Sequence, residues 1–195
     1  MRILFKRVPL KLLVIGICLP LEAALLAPWV GPNVKLGEDP GALPDGDGKN
    51  QAEPHVIRSA GDPDFLLATF QEGRFSDGGA ISNGLAFSED GGFSWLRSLN
   101  PGLTTIAGGK YIRATDPVAG ISLDGTLYLN SLASLDDRFG LAEIVVQRST
   151  DRGRTWTLPE IVYTGLSDGP GNRIFPDQNW MVVNDYPGTP TRGRI

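Results

Sequence analysis

Cysteine and histidine each occur only once in this chain of 195 residues, as Cys18 and His55. One thiol excludes internal disulfides and leaves no cysteine set for a zinc finger. One histidine excludes a His-rich metal site and restricts a Ser-His-Asp triad to one that uses His55 itself. No metal and no cofactor are therefore expected, and His55 reads as an ordinary residue at the start of a strand. Also missing is an excess of positive charge: the formal net charge is −4, which gives no support for nucleic-acid binding.

The first thirty residues differ from the rest. Arg2, Lys6, Arg7 and Lys11 flank the start of an apolar run from Leu12 to Leu21, which Pro20 and Glu22 interrupt before a second apolar stretch ending near Val30. A basic start followed by about ten apolar residues fits a secretory signal, whereas a membrane span needs about twenty. Residues 1–30 are thus expected to be an export signal, with an uncleaved N-terminal anchor as the alternative; either places the remainder outside the cytoplasm. Without them fourteen basic and twenty-one acidic residues remain, a net charge of −7. An anionic ligand would then have to be held by local arginines, not by the overall field.

What is abundant is glycine and proline, 25 and 15 residues, the composition of a turn-rich β protein. Residues 31–53 are rich in Gly, Pro and Asp and read as a linker. Beyond them one eight-residue pattern occurs twice, sixty-one residues apart: Ser88-Glu-Asp90-Gly-Gly92-Phe-Ser94-Trp95 and Ser149-Thr-Asp151-Arg-Gly153-Arg-Thr155-Trp156. Written S-x-D-x-G-x-[ST]-W, it has the chemistry of a tight turn. A short carboxylate accepts bonds from nearby amides, and glycine takes a positive φ. The tryptophan is then placed to pack the hairpin while its N–H seeks a partner. Asp90 and Asp151 are accordingly read as turn-makers and not as catalytic acids.

Strand-length apolar runs surround each copy: 55–59, 65–70, 81–87 and 93–99, then 117–123, 126–132, 142–148 and 155–163. A third set opens at 177–185. A repeat at long period marks stacked supersecondary units, so the expected fold is an all-β propeller of four-stranded antiparallel blades. Blade 1 covers about 54–100, blade 2 about 110–164, and a third begins at about 177–195. About two and a half blades would leave long unpaired edges. The sequence is thus expected to be an N-terminal fragment of an incomplete propeller over 54–195, the other reading being a complete chain that assembles with its copies.

The repeated pattern resembles the Asp box, or bacterial neuraminidase repeat, of the sialidase superfamily, a resemblance that covers about Glu53 to Ile195 and implies six blades when complete. The stretch Leu66-Leu-Ala-Thr-Phe-Gln-Glu-Gly73-Arg74-Phe-Ser76-Asp77-Gly-Gly79-Ala-Ile81 is similar to the sialidase stretch LLAFAEGR followed by SD-x-G-DID. Ala80 and Ser82 stand where many sialidases have aspartates. The resemblance implies Asp77 as acid/base and Arg74 as a ligand for the sugar carboxylate. Arg58, in Val56-Ile57-Arg58-Ser59, is a further substrate-binding candidate, although the Ile-Pro of the family's opening motif is missing. A guanidinium can grip a carboxylate bidentately, a carboxyl can protonate a leaving glycosidic oxygen, and sialidases use a tyrosine nucleophile. The family's tyrosine–glutamate pair and remaining arginines would lie beyond Ile195, so this chain alone should not catalyse. The implied function is an exported sialidase-like glycoside hydrolase acting on a glycan or glycoconjugate. The alternative is a non-catalytic propeller that binds a glycan or a protein, with Arg74 and Asp77 an ordinary exposed turn. Asp116-Pro117 reads as the start of a strand and Asp124-Gly125 as a hairpin turn. Trp180, which with Asp185 resembles a recurring blade-opening strand, is expected in the core.

Overall fold

The computed structural model describes residues 31–38, 43, 47–165, 167–169 and 172–195. The expected export segment with Cys18, and residues 39–42 and 44–46 of the expected linker, lie outside the described residues. Eight strands form one antiparallel sheet: β1 (Asp47–Arg58), β2 (Leu66–Arg74), β3 (Ala80–Ser88), β4 (Leu96–Leu99), β5 (Arg113–Ile121), β6 (Leu127–Ser134), β7 (Ala142–Ser149) and β8 (Glu160–Thr164). A small ladder pairs β9 (Ser167–Gly169) with β10 (Asn172–Arg173). The only helix among the described residues is a 3-10 turn at Thr105–Ala107.

The pairing divides the sheet in two. Strands β1 to β4 form one meander and β5 to β8 another, and a single bridge between Ala80 and Ala114 joins them. The chain is therefore all-β and its sheet is not closed. Central strands β2 and β3 are buried on both faces, whereas β4 and β8 are largely exposed. One face of the first meander packs on the second: Leu67 and Leu85 share a core with Ala119, Leu127 and Leu129, and Trp156 closes it. The opposite face carries Ala68, Phe70 and Ala86, covered by Trp95 and by Leu36 from the lead-in segment.

The structure departs from the expected boundaries in two places. Strand β1 starts at Asp47, inside the expected linker, because this backbone pairs with β2 as far as Arg74. The stretch 177–185 forms no strand among the described residues; its backbone pairing is limited to an isolated antiparallel bridge between Asn184 and Arg194. It runs instead along β5 through side chains: Asn179 Nδ2 donates to the Asp116 carbonyl at 2.9 Å, Met181 and Val183 crowd Gly120, and the Leu123 amide donates to Asp185 at 3.0 Å.

The two repeated turns are superimposable in their hydrogen bonds. Asp90 Oδ1 accepts from the Ser88 hydroxyl and the Ser94 amide, both at 2.8 Å, and its Oδ2 accepts from the Ser94 hydroxyl at 2.5 Å. Asp151 receives the same three bonds from Ser149 and Thr155 at 2.8, 2.9 and 2.5 Å. Gly92 and Gly153, at φ 96° and 84°, donate to the Ser88 and Ser149 hydroxyls. The indole N–H of Trp95 and of Trp156 donates back to those same glycines' carbonyls, at 3.0 and 3.1 Å. Arg152 ties one turn to the other meander, with Nη1 on Asp62, Nε on Glu89 and the guanidinium 4.6 Å from the Phe65 ring centre.

Two predictions follow from this packing. Gly84 lies under Phe70, and a Cβ there would come within 2.3 Å of the ring, while the Arg97 guanidinium covers Phe70 at 4.9 Å. Gly84→Ala should therefore cost about 1–3 kcal/mol by overpacking, read as a lower urea midpoint. The Asp90 and Asp151 carboxyls are held down to about 2, first by the hydroxyl of Ser94 or Thr155 and then by the amide of that residue. An unfolded aspartate titrates near ~3.9, so this stabilisation is full above pH ~4 and is lost as pH falls toward 2. The doubly substituted D90N/D151N protein should show a lower urea midpoint at pH 6 and a flatter decline between pH 5 and 2.

Candidate functional site

Strand register separates the meanders into two ends. Leu66 pairs with Ser88 at the end of the box turns, and Arg74 pairs with Ala80 at the other. Arg74 and Asp77 therefore sit opposite the boxes. Arg58 pairs with Leu66 at the box end, where its Nε donates to the Pro63 carbonyl at 2.5 Å. The three sequence candidates are thus not brought together.

Arg74 and Asp77 also face different partners. Arg74 Nη1 donates to Gln71 Oε1 at 2.5 Å and stands 3.9 Å from Glu53 Oε1. Asp77, with 63% of its side chain exposed, is gripped by Arg113, whose Nη1 and Nη2 reach Oδ1 and Oδ2 at 2.8 and 3.4 Å. Arg113 lies 4.1 Å over the Phe75 ring and also bonds the Gly78 carbonyl. The hydrogen bond from Arg113 holds the Asp77 carboxyl below its ordinary range, so Asp77 is ionised here.

A cavity of about 570 Å³ opens beside the middle of β1 and β5, where His55 pairs with Thr69 and Val118 with Asn130. Its walls include Glu53, His55, Asp116, Gln178, Asn179 and Trp180. Two bulges build it. The register slips between Ala52 and His55 in β1 and between Thr115 and Val118 in β5, at Glu53-Pro54 and Asp116-Pro117. Proline has no N–H for the ladder and is tolerated at bulges, which re-aim a neighbouring side chain. Glu53, Asp116 and Gln178 all take left-handed φ, at 50°, 47° and 58°, conformations that non-glycine residues hold only when surrounding bonds over-determine them. Those bonds are present. Glu53 Oε2 accepts from Gln71 Nε2 at 2.6 Å and from the Asp116 amide at 3.2 Å; Asp116 accepts from the Thr115 hydroxyl at 2.7 Å and the Gln178 amide at 3.2 Å. Burial, and then the neighbouring Glu53 carboxylate, push the Asp116 carboxyl above its ordinary value.

His55 Nδ1 accepts the Ala119 amide at 3.1 Å, which leaves the ring proton on Nε2, and burial lowers its pKa. Trp180 stands edge-on to this imidazole with ring centres 5.2 Å apart. It is 71% exposed, which corrects the expectation that it belongs to the core: the segment 177–185 lies over β5 as a surface layer. The sequence pattern marks Asp116 and His55 only as residues at strand starts. The available signal was the acidic–proline pair, repeated as Glu53-Pro54 and Asp116-Pro117 at nearly the spacing of the boxes. A tyrosine–glutamate pair does occur within the chain: the Tyr111 hydroxyl donates to Glu143 at 2.5 Å. Tyr111 is fully buried, and burial with Glu143 raises its phenol pKa, so the pair ties the loop before β5 to β7. Among the described residues no cluster of His, Cys, Asp or Glu could hold a metal ion.

No known protein-family profile matches the chain, and no curated protein matches it in sequence. Among solved structures it is similar to the Hadza microbial sialidase Hz136, at 18% identity and a TM-score of 0.45, over 57% of this chain and 26% of that one. It is also similar to a proposed glycosidase from Bacteroides thetaiotaomicron VPI-5482, at 17% identity and a TM-score of 0.37, over 65% of this chain and 36% of that one. The chain thus spans about a quarter to a third of the length of these structures.

The Arg113 contact yields a direct test. In Arg113→Gln the Asp77 carboxyl should titrate at higher pH than in the parent, while Asp90 stays unchanged, as read from carboxyl carbon shifts by NMR. An unmoved Asp77 would show that Arg113 does not set its charge.

Proposed function

We propose that the protein is an exported, sialidase-like glycoside hydrolase built on a β-propeller, and that it meets its glycan at the end of the meanders opposite the box turns. The observation that supports this reading is the register of β2 with β3, by which Arg74 and the turn that carries Asp77 lie at that end. Arg74 would grip a sugar carboxylate and Asp77 would serve as acid/base. A general acid must carry its proton when the glycosidic oxygen leaves, so the arriving glycan has to draw Asp77 away from Arg113.

A second reading, a non-catalytic propeller that binds a glycan, is favoured by that same ion pair. An exposed carboxylate held by a bidentate guanidinium is a stable, ionised surface contact. Turnover separates the two. The hydrolase reading expects the full-length protein to release fluorophore from a fluorogenic sialoside and Asp77→Ala to lower kcat at least a hundredfold, within the range that general acids contribute. Turnover unchanged in Asp77→Ala would remove Asp77 from the chemistry; no release by the parent protein would favour the binding module.

A further inference from the structure

We propose that a cavity beside Arg113 is a second binding site, one that takes a monocarboxylate with an apolar body and holds it on the edge of the guanidinium that Asp77 leaves open. The site uses neither Arg74 nor a sugar, so it goes beyond the glycan reading and stands without it. The cavity measures about 410 Å³ and lies between the β2–β3 turn, the 3-10 turn and the start of β5. That size is within the range of pockets that hold small molecules.

The state of Arg113 is the first reason. Its side chain is only 12% exposed and is held by three groups: the Phe75 ring lies 4.1 Å from the guanidinium, the Gly78 carbonyl accepts from Nη1 at 3.1 Å, and Asp77 takes one N–H each from Nη1 and Nη2. A guanidinium carries five N–H groups in a fixed fork. These bonds use three of them. The Nε–H and the second N–H of Nη2, which together form the fork's other edge, have no partner among the described residues. A planar carboxylate matches such an edge with two parallel hydrogen bonds. Because the ring and the carbonyl already fix the guanidinium, a ligand gives up little affinity to order it.

The walls decide the body of the ligand. Ile81, Ile106 and Ile112 line the cavity together with Phe75. Ile112 is 36% exposed and Ile106 half-buried, so apolar surface remains there for a ligand to cover. Thr105 is the one uncharged polar side chain among the described lining residues. A polyhydroxylated sugar buried here would leave most of its hydroxyls unpaired, at a cost for each. Charge limits the anion. Asp77 already balances Arg113, and the positive charge of Arg138 that acts on Asp77 is opposed by Asp137 in the lining. The locus is thus close to neutral before a ligand arrives, which disfavours a dianion more than a single carboxylate.

The test is a titration of the isotope-labelled full chain with benzoate, read by NMR at the Arg113 Nε–H and at the Ile106 and Ile112 amides, with benzamide and N-acetylneuraminic acid in separate arms. Saturable benzoate binding that moves these three signals is expected, with each of the other two compounds at least tenfold weaker at the same signals. Arg113→Lys keeps the charge without the fork and should weaken benzoate at least tenfold. Ile106→Glu places a carboxylate in the wall without altering Arg113. It should weaken benzoate by at least the same factor and, at a half-buried position on a short turn, keep the parent's circular dichroism. No saturable benzoate binding, equal binding of benzamide or of N-acetylneuraminic acid at these signals, or an affinity unchanged in either folded variant would overturn the proposal. Benzoate binding by a protein that hydrolyses no sialoside would support it while removing the hydrolase reading alone.

Discussion

The hydrogen bonds that one carboxylate gathers inside each box turn set the rest of the architecture. Asp90 and Asp151 each hold two hydroxyls and an amide, which leaves the turn one geometry and keeps the carboxyl ionised down to about pH 2. That geometry aims the tryptophan. Trp156, pinned to the Gly153 carbonyl, completes the core between the meanders, and Trp95, pinned to Gly92, covers the outer face of the first meander beside Leu36. Arg152 extends the same turn across to Asp62 and Glu89. These two ion pairs are half-exposed, so their contribution is modest; the buried apolar contact beneath them carries most of the stability.

The interface between meanders changes character along the strands. Near the boxes it is apolar, with Leu67 and Leu85 against Leu127 and Leu129. Toward the other end the same faces carry Gln71, Asn83, Thr115 and Ser131, joined by side-chain hydrogen bonds. Burying amides and hydroxyls is costly unless they are paired; here most are, Asn83 Oδ1 excepted, and the network ends in two bulges that lift Glu53 and Asp116 out of the ladder. Scaffold and candidate site thus occupy opposite ends of one set of strands. A substitution in a box is expected to act on stability.

How much could be read in advance follows from how local each signal is. The turn chemistry of S-x-D-x-G-x-[ST]-W lies within eight residues, so its bonds and its tryptophan were legible, and the order of eight strands followed from runs between turns. Strand β1 begins earlier than the apolar pattern predicts because Asp47 to Glu53 is polar and is held to β2 by backbone and side-chain hydrogen bonds, Gln51 to Glu72 and Gln71 to Glu53, which leave no hydrophobic pattern. Asp116 looked like a strand start because Asp-Pro is common there; its meaning depends on Glu53, sixty-three residues away, and on Gln178 of the next repeat. Trp180 looked like core because tryptophan usually is, yet no strand among the described residues pairs with its segment to bury it.

The sequence by itself determined the repeat: an all-β chain with two like turns sixty-one residues apart, since hydrogen bonding within a short peptide depends on neighbours in the chain. Only the tertiary structure decided which charged groups meet. It paired Asp77 with Arg113 instead of Arg74, sent Arg58 to the opposite end, and gathered Glu53, His55, Asp116 and Trp180 around one cavity. Electrostatics and cavity shape depend on distances in space between residues far apart in the chain, and strand register is what sets those distances.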